Sequence, residues 1–172
     1  MQRYPLIDVL RAFAALMVVW YHVIEHSGWQ TFPHHGLALG PRTGWLGVDL
    51  FLVISGFVIG KTAMESARRG GTWRQRFAER RLRRIVPLHL ATMAVYLFLV
   101  TPELLLHGWV SLGHVVSHLL FIHNWFPPTH GSINGPNWSV ALEMQFYLLA
   151  ALSAPWLARA RLWQLVLVWM ME

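Results

Sequence analysis

Segment 6–24 (LIDVLRAFAALMVVWYHVI) is long and apolar enough to cross a bilayer as one helix, yet it carries Arg11 and His22. A cation and an imidazole are costly to hold in hydrocarbon, so a chain that keeps them there uses them. Eleven helical residues turn through roughly 1100°, about 20° past three full turns. Arg11 and His22 therefore share a face, about 16 Å apart along the axis. Asp8 and His26 fall on the same stripe.

The rest of the chain repeats this character. It is 55% hydrophobic, contains 10 Trp and has a mean hydropathy of +0.41, all above what a soluble domain of this size carries. The class expected is an all-α, polytopic transmembrane bundle. Apolar spans are predicted at about 6–24, 45–64, 85–106 and 138–157, with a fifth run from 162 to 172. Segment 109–123 is apolar but short for a crossing, which predicts a re-entrant or interfacial helix. The fifth run stops well short of the roughly 20 residues a crossing needs. Residues 1–172 are therefore expected to form the N-terminal part of a single transmembrane domain. With no cysteine, disulfide and thiolate chemistry are excluded. Segment 6–24 has no small-residue cleavage site after it and reads as a retained helix, not a signal peptide.

The net charge of +6 invites a nucleic-acid reading, but the arginines cluster between apolar spans. That distribution is a topology signal. With a cytoplasmic N-terminus, every one of the 14 Lys and Arg residues except Arg42 lies on the inner side. The expectation is an integral protein of the cell (inner) membrane in that orientation, bound to membrane lipids and not to nucleic acid. Trp29, Trp45, Trp109, Trp125 and Trp138 lie near span ends, as interfacial anchors do.

Counting depth from the span ends sorts the ionisable groups into two levels. His22, Asp49 and Glu143 are expected in the outer half, on three different spans. Arg11 and Asp8 are expected at the cytoplasmic level, beside the basic run 80–84. An imidazole level with carboxylates fits proton transfer, since a carboxylate on one ring nitrogen leaves the other as a base. Asp49 or Glu143 would then orient His22; a structural ion pair is the plainer alternative. Arg81 and Arg83, in RRLRRIVP (80–87), serve either as topogenic charge or as a fork for phosphates. Gly56 and Gly60 have the spacing that lets helices approach closely, and Ser55 reads as a packing or lining residue. His114 and His118 have a spacing that can hold zinc, but no third ligand has a compelling position, so no metal is expected.

Four stretches resemble motifs of the membrane acyltransferase-3 family, in the family's order. They are 6–22 (LIDVLRAFAALMVVWYH), 47–57 (GVDLFLVISGF), 80–87 (RRLRRIVP) and 138–147 (WSVALEMQFY). The resemblance implies an enzyme that moves an acyl group, typically acetyl, from acyl-CoA on the cytoplasmic side. The acceptor would be a hydroxyl of a cell-envelope carbohydrate or lipid, with no bound cofactor. It implies essential roles for Arg11 and His22 and an acidic role for Glu143, with Met144 standing where the family has a second Glu. It lends Arg81 and Arg83, with Arg11, to the CoA phosphates, and leaves His22 as either general base or acyl relay. A proton-coupled transporter and a catalytically inactive, truncated remnant are the alternative readings.

Overall fold

The computed structural model describes residues 5–28, 35–36 and 39–160. Arg3, Trp29, Arg161 and the fifth apolar run lie outside them. Among the described residues the chain is helical throughout, without strands. The longer helices are α1 (Pro5–Gly28), α3 (Leu46–Arg69), α4 (Trp73–Val95) and α6 (Trp138–Leu157); α2 (Leu39–Arg42) and α5 (Trp109–Leu119) are shorter. A π-helical turn, Tyr96–Val100, extends α4.

Four stretches are long and apolar enough to cross a membrane: Pro5–His26, Leu46–Arg69, Trp73–Val100 and Gly135–Leu157. Only 11% to 28% of each one's most apolar window is buried in the protein, so most of this apolar surface faces outward. Val53, Phe57, Leu149 and Leu152 are among the large side chains left exposed. Water would penalise such a surface and lipid does not. This is an integral membrane protein.

Two helices differ from the hydropathy reading: the second runs on to Arg69, and the third starts at Trp73. The basic run was expected as a connection before a span at 85, but α4 begins at Trp73 and carries Arg74 to Arg84 within it. The boundary is set upstream, where Gly70 and Gly71 adopt φ of 68° and 65° and end α3. Pro87 lies inside α4 without ending it. The short apolar segment forms α5, 11 residues long.

The chain divides into two compact units, Met1–Val58 and Ile59–Glu172, with the division inside α3. In the first unit α1 and the start of α3 run antiparallel. Gly47 makes their contact: a Cβ there would sit 2.5 Å from the Ala14 carbonyl oxygen and 3.0 Å from Met17 Cβ. Ala14, Ile24, Ile54 and Ser55 are buried. The close approach expected at Gly56 and Gly60 is not there, since a Cβ at either would meet nothing within 4 Å among the described residues.

In the second unit, Ile59, Ala63, Phe77, Tyr147 and Ala154 form one buried cluster, joining the end of α3 to α4 and α6. Met93, Leu97 and Ile133 form another further along α4. A polar latch fixes the turn after α5 to α6: Gln145 Nε2 donates to the Phe121 carbonyl at 2.9 Å and to Asn124 Oδ1 at 2.8 Å. Phe121 takes a positive φ of 55° in that turn.

Candidate active site

In the first unit Arg11 reaches from α1 to α3. Its Nη2 donates to Ser55 Oγ at 3.1 Å, and its guanidinium lies 5.6 Å from the centre of the Phe51 ring. Ser55 is fully buried. Arg11 Nε is also buried, with no hydrogen-bond partner among the described residues. A buried N–H without an acceptor is uncommon and costly. Sequence reasoning placed Arg11 on the right stripe but gave Ser55 no role toward it. The antiparallel crossing at Gly47 supplies that partner.

His22 lies further along α1 and is partly buried. Glu25 Oε2 accepts from His22 Nδ1–H at 2.9 Å. That arrangement fixes the tautomer and leaves Nε2 with a free lone pair. The carboxylate on this ring is thus one turn away on the same helix. Glu25 is not marked by its depth in the span; its position at i+3 from His22 is the sequence signal that finds it. Asp49 and Asp8 are both exposed. His26 Nδ1–H donates to the His22 carbonyl oxygen at 2.9 Å.

In the second unit Arg81 and Phe77 are four residues apart on α4 and share a face. The Arg81 guanidinium lies 5.6 Å from the Phe77 ring centre and 5.1 Å from that of Tyr147. Tyr147 in turn donates its hydroxyl to Glu143 Oε1 at 2.5 Å, across one turn of α6. Arg81, Tyr147 and Glu143 are therefore consecutive links, joining the third and fourth sequence motifs. Arg83 is exposed. Tyr147 was visible only as the last letter of its motif; its link to Glu143 follows from the i, i+4 spacing.

A third polar group surrounds α5. His89 Nε2–H donates to the His118 carbonyl at 3.1 Å, and His118 Nδ1–H donates to the His114 carbonyl at 2.9 Å. The rings of His118 and His123 stack at 3.9 Å, 3° from parallel. Burial holds the His118 imidazole down at about 4 and lowers that of His123 too, so both are neutral near pH 7. His114 and His118 have no third ligand group, among the described residues, close enough to complete a metal-binding trio. Among the described residues that geometry occurs instead at His22, Glu25 and His26.

The sequence profile of a family described as "Acyltransferase domain" matches residues 4–171. The chain belongs to this acyltransferase family. The relatives of this family member include Acyltransferase MdmB of Streptomyces mycarofaciens, 36% identical over 85% of this chain and 38% of that protein. Peptidoglycan O-acetyltransferase OatA of Listeria monocytogenes is 28% identical over 84% of this chain and 23% of its own length. Protein 2 in the picA locus of Rhizobium radiobacter is 32% identical over 97% of this chain and 89% of its own. The chain thus spans well under half the length of the two acyltransferases. No solved structure matches it.

Proposed function

We propose that this protein transfers an acyl group, acetyl in the simplest case, from acyl-CoA to a hydroxyl of a cell-envelope carbohydrate. The observation that carries this reading is the family match across residues 4–171, with all four motifs placed on membrane-capable helices. The named O-acetyltransferase relative supports a carbohydrate acceptor; a lipid hydroxyl offers the same chemistry. The charge distribution supports a cytoplasmic N-terminus in the inner membrane, with the donor met on the cytoplasmic side. In this reading residues 1–172 belong to a single transmembrane acyltransferase domain.

Each residue has a role its environment supports. His22, with Nδ1–H held by Glu25, takes the acceptor hydroxyl's proton at Nε2. The acceptor oxygen then bonds to the thioester carbonyl carbon, the C–S bond breaks, and CoA leaves as a thiolate that the imidazolium can protonate. The Glu25 carboxylate stabilises the imidazolium between those steps. Asp49 and Glu143 are the further carboxylates assigned to this proton chemistry, Glu143 being fixed by Tyr147. Arg81 and Arg83 bind donor phosphates, and Arg11, whose buried Nε–H has no partner among the described residues, is the third cation assigned to the donor.

The test is label transfer from radiolabelled acetyl-CoA to envelope carbohydrate by membranes containing the protein. His22→Ala should lower transfer by at least 100-fold with the protein still folded. Full transfer by the variant would remove His22 from the mechanism. Solute transport without dependence on acetyl-CoA would replace the enzyme reading with a transporter.

A further inference from the structure

We propose that His22, Glu25 and His26 form a binding site for a divalent transition-metal ion of the zinc class. One ligand atom from each of the three lies within 4.8 Å of the other two. The spacing explains why. Along a helix, i, i+3 and i+4 fall within an arc of about 100° and a rise of about 6 Å. Donor atoms around one tetrahedral zinc stand roughly 3.3 Å apart, given metal–ligand distances near 2.0–2.2 Å. Closing from 4.8 Å to that spacing takes small rotamer changes, and Glu25 and His26 are exposed while His22 is only partly buried. The backbone of α1 need not move.

The donor set chooses the metal. Two imidazoles and one carboxylate suit zinc, copper or nickel, whereas magnesium and calcium prefer oxygen ligands throughout. His26 has one ring nitrogen already committed. Its Nδ1–H is tied to the His22 carbonyl at 2.9 Å, which leaves Nε2 as the free lone pair. Such a hydrogen bond on the non-ligating nitrogen is the usual support of a metal-bound histidine. The Glu25 carboxylate offsets part of the ion's charge. Three protein ligands leave a fourth position for water or an anion.

Occupancy has a consequence for the proposed chemistry. An imidazole that gives a lone pair to a metal cannot also accept a proton with it. Zinc at this site would therefore inhibit acyl transfer through His22. That consequence rests on the proposed acyltransferase reading; the binding itself does not.

The experiment separates the two. The purified protein, carrying no polyhistidine tag, is titrated with ZnCl2 in detergent by calorimetry, with MgCl2 as the comparison. One zinc per chain should bind, with magnesium at least 100-fold weaker. His26→Ala and Glu25→Gln should each weaken zinc binding by tenfold or more, with unchanged thermal midpoints in the absence of metal. The double variant His107→Ala/His130→Ala, which leaves the α1 ligands intact, should bind zinc as the wild type does. Cobalt should give ligand-field absorption in the wild type that His26→Ala removes. Equal zinc affinity in wild type and both α1 variants would overturn the site, as would equal binding of magnesium. Zinc inhibition of transfer, each variant compared with its own metal-free rate, should weaken tenfold or more in His26→Ala. Specific zinc binding without any measurable transfer would uphold the site and count against the acyltransferase reading.

Discussion

Arg81 and Arg83 are two residues apart on α4, but their surroundings make them separable. Arg81 is held against the rings of Phe77 and Tyr147, while Arg83 is exposed. Arg81→Ala should therefore lower both donor affinity and the thermal midpoint, the lost ring contacts costing about 1 kcal/mol of stability. Arg83→Ala should weaken acetyl-CoA binding with the midpoint unchanged, since an exposed side chain supports little packing. Donor titration and thermal unfolding of both variants check this. Unaltered donor affinity in both would return the run to a purely topogenic role. Tyr147→Phe keeps the ring beside Arg81 and removes the hydroxyl that Glu143 accepts. It should cost about 1 kcal/mol of stability, measured the same way.

At the scale of the helix, one glycine matters more than the spacing of two others. Gly47→Ala drives a methyl to 2.5 Å from a backbone oxygen of α1, so one helix must shift. About 1–3 kcal/mol of destabilisation is expected. Gly56→Ala and Gly60→Ala meet open space and should hold or raise the thermal midpoint, because alanine favours the helix by up to about 1 kcal/mol. A Gly47→Ala variant as stable as the wild type would contradict the α1–α3 contact. The helices themselves were largely legible in the sequence, because apolar length is a direct consequence of bilayer thickness. The exception at α4 has a plain cause. Hydropathy marks where a helix is apolar, not where it starts, and eight arginines from Arg68 to Arg84 masked a helix that runs through most of them. Side-chain pairings were less legible. Periodicity put Arg11 and His22 on one stripe, but Ser55 and Tyr147 became partners only once helices had crossed or a turn had closed.

For the whole molecule, the buried imidazoles around α5 set a pH limit on stability. His118 titrates near 4 in the folded protein and near 6.5 when exposed, with burial the main cause. Between those values the unfolded chain binds more protons than the folded one. Stability from this source is therefore complete above about pH 6.5 and falls as pH drops toward 4, with His123 acting in the same sense. The thermal midpoint in detergent should decline from pH 7 to pH 5, and His118→Gln should flatten that decline. A midpoint that rises over the same interval would contradict the buried, neutral stack. The proposed acyl transfer depends on chemistry at α1. The most direct measurement is the acetyl-ester content of envelope carbohydrate, by mass spectrometry, in cells expressing the wild type or His22→Ala at equal membrane levels. Esters are expected with the wild type and their loss with His22→Ala. Equal ester content in the two would contradict the proposed role of His22.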